Sequence, residues 1–236
     1  MPIHHASFEP QRRYLLFSSI DTNRSVHDYW LAEPDRNFDV VVYVYNGDTP
    51  KQQVDLCVEK KGLKFPNFFE FSKTADLSRY DAIWIVDDDI QMRTRDINRM
   101  FELFHEYDLW LAQPAYDSSS VSSWEMLFVD NRYRIRFTNY VEVGVVLFSR
   151  EALNLCLPAM RDIQSGFGAD FLFAALTGFP LKKIAIIDEV QCCRPEGQSS
   201  VDSMVPRPLH YRDGEELMAA YHVTYFTPRV SGGVRR

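Results

Sequence analysis

Basic residues are in the minority. Against 33 Asp and Glu there are 26 Lys and Arg, and the formal charge of −7 argues against nonspecific nucleic-acid binding and a polybasic membrane surface, both of which depend on clustered cations. Cysteine is scarce: Cys57, Cys156, Cys192 and Cys193 are too few for a disulfide framework. The adjacent pair has neither zinc nor C-x-x-C redox spacing, so all four read as structural thiols. No apolar run reaches transmembrane length, and the N-terminus, where Glu9, Arg12 and Arg13 closely follow His4 and His5, lacks the apolar centre of a signal peptide. The expectation is a cytoplasmic chain with no integral membrane segment. Internal repeats and linkers are lacking too, which leaves a single domain. With 46% hydrophobic residues among 236, it can bury a large core.

Strand-like and helix-like stretches alternate along the chain. Tyr-Leu-Leu-Phe-Ser at 14–18 and Phe-Asp-Val-Val-Val-Tyr-Val-Tyr at 38–45 are the aromatic and β-branched runs that fill sheets covered on both faces. Between them Asn23 is placed to cap a short helix reaching Leu31. Thr49-Pro50 before residues 51–60, with Gly62 beyond, predicts a helix with a capping hydroxyl, an initial Pro and a terminating Gly. Thr94 is expected to cap a helix carrying Ile97, Met100, Phe101 and Phe104 at helical spacing. Strands are expected at 109–112, 144–148 and 184–187, and helices at 149–160 and 169–177, after the loop Ser165-Gly166-Phe167-Gly168. Segments 115–123 and 194–208, rich in Ser and Pro, read as loops over a site. Arg132, Arg134 and Arg136 alternate, so in a strand they share one face, suited either to phosphates or to guarding an edge with charge.

The chemistry concentrates after Ala82-Ile83-Trp84-Ile85-Val86. A buried strand there delivers Asp87, Asp88 and Asp89 together to one sheet edge, and in alternating β/α folds the ligand crevice lies beyond the carboxyl ends of the strands. Hard cations such as Mg²⁺ and Mn²⁺ take one or two carboxylates from the protein and the rest of their ligands from water and phosphate. A solvated strand end is the other reading. Glu142, between Val141 and Val143, is a carboxylate in an apolar stretch and needs a partner. Trp124 and Tyr116 suit either sugar stacking or the core.

The runs at 38–47 and 80–89 resemble the nucleotide-sugar-binding half of a GT-A glycosyltransferase, with the D-x-D motif on Asp87 and Asp89. More narrowly, the acidic triplet, Gln113-Pro114, Val141-Glu142 and Gly166-Phe167-Gly168-Ala169-Asp170-Phe171 together resemble a poorly characterised, largely plant family of glycosyltransferase-like proteins. Phe167 stands where that family has Trp. The resemblance spans about residues 14–194 and implies a single α/β domain of GT-A (Rossmann-type) fold, a mixed, mainly parallel sheet flanked by helices. The donor half falls at about 13–112, the acceptor half at about 113–190, and a loop and helix follow at 191–236.

It further implies transfer of a sugar from a donor with a phosphate leaving group to a hydroxyl of a glycan or small molecule, as in polysaccharide biosynthesis, with Mn²⁺ or Mg²⁺ as cofactor. The donor is a nucleotide sugar or, alternatively, a phosphoribosyl diphosphate. On this reading Asp89 binds metal directly, Asp87 meets the ribose or the metal through water, and Asp88 contacts sugar hydroxyls or serves structure. Ser18, Ser19, Asp21 and Arg24 recognise the nucleotide or form a polar turn. GT-A enzymes often supply a His after the last strand, yet 188–195 holds none, which leaves His210 as the candidate third ligand. Asp170 is the expected general base and Glu142 the second candidate. Two other classes remain: a metal-dependent phosphohydrolase, for which Ile90-Gln91-Met92-Arg93 offers no second set of ligands, and a carbohydrate binder that kept the fold without the reaction.

Overall fold

The computed structural model describes residues 8–24, 27–50, 53–195 and 207–236. One sheet of nine strands runs through it in the order β3-β2-β1-β4-β7-β5-β8-β6-β9. The strands are β1 (Tyr14–Asp21), β2 (Phe38–Asn46), β3 (Leu56–Glu59), β4 (Ala82–Val86), β5 (Leu111–Tyr116), β6 (Tyr133–Thr138), β7 (Val145–Ser149), β8 (Ile184–Cys192) and β9 (Val230–Arg235). β3, β2, β1 and β4 are mutually parallel, as are β5 and β8, whereas β7 runs antiparallel to both its neighbours β4 and β5. The architecture is thus α/β with a mixed sheet.

Helices cover both faces. On one lie α1 (His27–Trp30) and α3 (Thr94–Glu106), whose Trp30, Ile97, Met100, Phe101 and Phe104 pack with Trp84 and Val86. On the other lie α2 (Lys64–Ser72), α4 (Arg150–Met160), α5 (Ala169–Leu176) and α6 (Arg207–Ala220), whose Phe65, Phe68, Leu153, Leu172 and Met218 pack with Ile83 and Ile85. β4 is therefore apolar at every position because successive side chains enter two different cores, which is why its sequence lacks the alternation of a half-exposed strand. No helix among the described residues is long and apolar enough to cross a membrane.

Local expectations fail in instructive places. The helix expected over 51–60 is not there: residues 51–52 lie outside the described set, and Leu56–Glu59 is a strand paired in parallel with β2. The Thr-Pro start and Gly stop misled, while the alternation Val54-Asp55-Leu56-Cys57-Val58 was the true signal. The helix follows instead at Lys64–Ser72, with Phe65, Phe68 and Phe71 buried at helical spacing. Thr94 does not cap α3. Its hydroxyl donates to the Trp30 carbonyl at 2.9 Å and accepts the Glu33 N–H, tying α1 to α3. The helix expected from Asn23 to Leu31 is a 3-10 turn, Thr22–Arg24, and the short α1. Ser149 does cap α4, accepting from the Ala152 N–H. The Arg132, Arg134 and Arg136 row runs from solvent into the core, Arg132 exposed and Arg136 buried, and these side chains pair with Asp130, Glu189 and Asp188 respectively. Arg136 and Asp188 are both buried, bonded through Nε and Nη2 at 2.8 and 2.7 Å.

Candidate functional site

The C-terminal ends of β1, β2 and β4 converge, and Asp88 is the peg that joins them. Its carboxylate is 2% exposed, accepts the Asp21 N–H at 2.7 Å and the Tyr45 hydroxyl at 2.8 Å, and lies 3.6 Å from Arg24. Asp88 Oδ2 is thus held within the protein, whereas the buried Oδ1 accepts no hydrogen bond and lies 3.6 Å from Arg24 Nη1. Ser18 and Ser19 are also turned inward. Ser18 Oγ donates to the Val86 carbonyl at 2.7 Å, and Ser19 Oγ accepts from Asn67 at 3.0 Å, both in buried surroundings. Ser18 thus gives its hydroxyl proton to the sheet, and Ser19 is held there as an acceptor, contacts that serve structure. Asp21 and Arg24 remain at the strand end, with Asp21 accepting from Asn23 and Asn46.

Asp87 and Asp89 bear the cations. Asp87 Oδ1 accepts from Lys64 Nζ at 2.6 Å and Oδ2 from Arg194 Nη2 at 3.1 Å, while its own N–H donates to the Gly144 carbonyl. Lys64 stands at the start of α2 and also donates to the Val143 carbonyl at 3.0 Å. Burial pulls its ammonium below the ordinary value, against the pull of Asp87. Asp89 is 4% exposed, and its Oδ1 has no hydrogen-bond partner; the nearest cation is Arg194 Nε at 3.6 Å. Burial raises the Asp89 carboxyl, and Arg194 offsets part of that rise.

Arg194 is the hub. Besides Asp87 and Asp89 it bonds Glu142 through Nη1, and its guanidinium lies 5.6 Å from the Tyr116 ring centroid. Room for it depends on Gly144, where a Cβ would collide with Arg194 Nη2 and approach Asp87 Oδ2 to 2.7 Å. Tyr116 is fully buried behind it, so it belongs to the core and stacks on no ligand. Gln113, also fully buried, accepts the Glu142 N–H through Oε1 at 2.6 Å.

Glu142 opens onto a cavity of about 340 Å³ lined also by Ser123, Trp124, Tyr140, Phe167, Asp170, Phe171 and His210. Asp170 sits in the first turn of α5 and accepts from the Tyr140 hydroxyl and the Phe171 N–H. A helix start favours an ionised carboxylate, but burial outweighs it, and the Asp170 carboxyl is pushed up to about 6. Trp124 packs edge-on to Tyr140, and Phe167 meets Tyr211 at 4.6 Å between ring centroids at the rim. The turn that carries Phe167 requires glycine: Gly168 has φ +81°, and a Cβ there would lie 3.2 Å from Met218 of α6.

Of the side chains expected from sequence, the structure therefore brings Asp87 and Asp89 together, joins them through Arg194 to Glu142, and sets Glu142 in one cavity with Asp170 and His210. His210 falls in that cavity wall, and no group of three or more His, Cys, Asp and Glu side chains converges as a metal site among the described residues. The expected triad of Asp87, Asp89 and His210 is not assembled among the described residues, because α6 holds His210 in the wall of that cavity. Lys64 and Arg194 escaped notice in the sequence. Each is a lone cation whose carboxylate lies 23 or 107 residues away, and no spacing rule reaches across such gaps.

No family model matches the chain, and no curated protein is similar to it in sequence. Solved structures are similar to it in fold. The crystal structure of S. aureus TarS 1-349 superposes with a TM-score of 0.55 at 13% identity, covering 88% of this chain and 64% of that one. The same TarS segment in complex with UDP-GlcNAc gives 0.53 at 12% identity, over 91% of this chain and 68% of that one. Its complex with UDP gives 0.51 at 12% identity, over 88% and 64%. This chain thus spans less than two thirds of the first TarS structure, and it shares that structure's fold.

Proposed function

We propose that the protein is a glycosyltransferase that moves a sugar from a nucleotide-sugar donor to a hydroxyl of a glycan or small-molecule acceptor. The observation that carries this reading is a continuous line of side chains. Asp87 and Asp89 are joined through Arg194 to Glu142, and Glu142 shares a cavity with Asp170 and the aromatic rings of Trp124, Tyr140, Phe167 and Phe171. A donor phosphate over the first end and an acceptor ring in the second would put the sugar carbon between them. The ordered motifs that resemble the largely plant glycosyltransferase-like family fall along the same line. TarS has been crystallised with UDP-GlcNAc and with UDP, which makes a uridine diphosphate sugar the first donor to test here.

The residues fit a divalent cation. Asp87 and Asp89 offer hard carboxylate oxygens, Asp89 Oδ1 is buried without a partner, and the three carboxylates Asp87, Asp89 and Glu142 outnumber the two cations Lys64 and Arg194 beside them. That residual negative charge would repel a diphosphate unless a further cation arrived. Bound Mn²⁺ or Mg²⁺ would be held by Asp87 and Asp89 and would stabilise, as a Lewis acid, the charge developing on the leaving phosphate.

On the acceptor side Asp170 takes the proton from the attacking hydroxyl as the new C–O bond forms. Tyr140, donating to it, fixes the carboxylate's orientation. Glu142 is held by Arg194 and Ser122 and serves better to orient the acceptor than to accept its proton. Trp124 and Phe167 offer apolar ring faces to a sugar. Direct displacement with a base on the acceptor side inverts the anomeric centre. Thermal unfolding with UDP, with and without Mn²⁺, tests donor binding, and turnover with a panel of nucleotide sugars tests the reaction. Absence of any Mn²⁺-dependent stabilisation by a panel of nucleoside diphosphates would remove the nucleotide-sugar reading.

A further inference from the structure

Arg194 and Asp89 each leave one buried atom unsatisfied, and the two atoms face one another. Asp89 Oδ1 and Arg194 Nε have no hydrogen-bond partner, and they stand 3.6 Å apart, just too far to satisfy each other. A buried charged pair that stops short of bonding is costly, and it persists here because the same guanidinium is pulled towards Asp87 through Nη2 and towards Glu142 through Nη1. One planar cation is shared by three carboxylates, and the geometry satisfies two. Lys64 differs: its ammonium is fixed by two good partners, Asp87 Oδ1 and the Val143 carbonyl, so it has no reason to move.

Resting on the cation reading given above, we propose that Arg194 occupies the divalent cation's place between Asp87 and Asp89 in the donor-free protein. When the ion enters with the donor, the guanidinium passes to the donor's diphosphate. The exchange resolves both unsatisfied atoms. Asp89 Oδ1 gains a metal ligand bond, and Arg194 Nε, with a neighbouring N–H, gains a phosphate oxygen, for which the planar fork of Arg is well matched. Glu142 keeps the guanidinium from leaving altogether, and the Arg194 backbone is anchored by its N–H to Ser120 Oγ at 3.0 Å and its carbonyl to the Val121 N–H at 3.1 Å, so only the side chain need turn. Gly144 supplies the space the guanidinium takes in the donor-free protein, since any Cβ there would meet it. The arrangement makes ion and donor bind as a pair: the ion alone must compete with an internal cation, and the donor alone meets surplus negative charge.

The consequence is contrary to intuition and measurable without turnover. Removing the positive charge of Arg194 should tighten Mn²⁺ binding in the absence of nucleotide and weaken UDP binding in its presence. Mn²⁺ is titrated into nucleotide-free protein, with bound ion read by electron paramagnetic resonance, and UDP is titrated calorimetrically at saturating Mn²⁺. For R194Q, losing a charge-assisted contact of ordinary strength corresponds to a gain of about tenfold or more in Mn²⁺ affinity and a loss of about tenfold or more in UDP affinity. R194K, a point charge that cannot span three carboxylates, should lie between R194Q and the native protein in both measurements. It also serves if R194Q does not fold. Mn²⁺ binding to either variant that is equal to or weaker than native, while the native protein binds Mn²⁺ with UDP, overturns the role of Arg194 and leaves the cation reading standing. Absence of Mn²⁺ binding to the native protein even with UDP overturns both.

Discussion

The side-chain carbonyl of Gln113 accepts the backbone N–H of Glu142 at 2.6 Å, and so joins the Gln-Pro and Val-Glu pairs, which lie 29 residues apart. Gln113 is fully buried on β5, where an amide is tolerated only if its polar atoms find partners. It is the fixed point against which the Glu142 carboxylate, and through it Arg194, is set.

Replacing Gln113 with Leu should therefore cost stability and position at once. The Glu142 N–H would lose its acceptor, a penalty of about 1–3 kcal/mol, seen as a lower midpoint in chemical denaturation with an unchanged slope. In turnover assays the acceptor KM should rise, and UDP affinity in the presence of Mn²⁺ should fall by less than in R194Q, since Arg194 is displaced but keeps its charge.

Asp170→Asn should abolish turnover, by about 10²–10⁴-fold for a general base, and leave donor binding intact. It should also stabilise the fold under the right conditions. The native carboxyl is raised by burial to about 6, so the folded state holds its proton more tightly than the unfolded chain. The stabilisation this gives the native protein is complete below the unfolded value and is lost as pH rises through about 6. Above that pH the neutral amide should gain on the order of 1–3 kcal/mol over native, and at pH 4 the two should converge. Turnover of the native protein should climb through the same range, where Tyr140, Glu142 and His210 are the titratable groups facing Asp170.

Ser18→Ala distinguishes a structural hydroxyl from a nucleotide contact. Loss of its bond to the Val86 carbonyl should lower stability by about 1 kcal/mol and leave the UDP dissociation constant unchanged. A tenfold weaker affinity for UDP would restore Ser18 to the donor site.

Asp89→Asn should remove the Mn²⁺-dependent part of the thermal shift given by UDP. For native protein with ligand at a hundred times its dissociation constant, that shift is expected on the order of 5–10 °C for a chain of this size. Asp88→Asn, by contrast, should lower the melting temperature of the unliganded protein by loosening β1 and β2 from β4.

Much of the fold was legible. The runs that became β1, β2 and β4, the amphipathic α3 and the helix that became α4 each follow from local pattern, because a strand buried on both faces or a helix with one apolar stripe writes its period into the chain. β9 was not, since Val230-Ser231-Gly232-Gly233-Val234-Arg235 is exposed and carries no apolar signal. It is a strand only because β6 offers an open edge. Likewise the D-x-D carboxylates and Asp170 were visible as acidic residues at element ends, but the cations that control them were not. Lys64 lies just past the Gly62 that ends the expected helix, and Arg194 is one charge at the start of an expected loop, until the sheet's crossovers bring them to Asp87.

The reversal of β7 decides how these parts can vary. Because it runs against β4, the segment entering it, Glu142 to Gly144, lies at the edge where β4 delivers its aspartates, and the Gly144 carbonyl holds the Asp87 N–H. A single short stretch of backbone thus borders both the Asp87–Asp89 cluster and the cavity that holds Asp170. Substitutions in that stretch would therefore be felt at both places at once, whereas α6 reaches the cavity through His210 and packs against the Phe167 turn, so it can vary the cavity wall and leave the Asp87–Asp89 cluster unchanged.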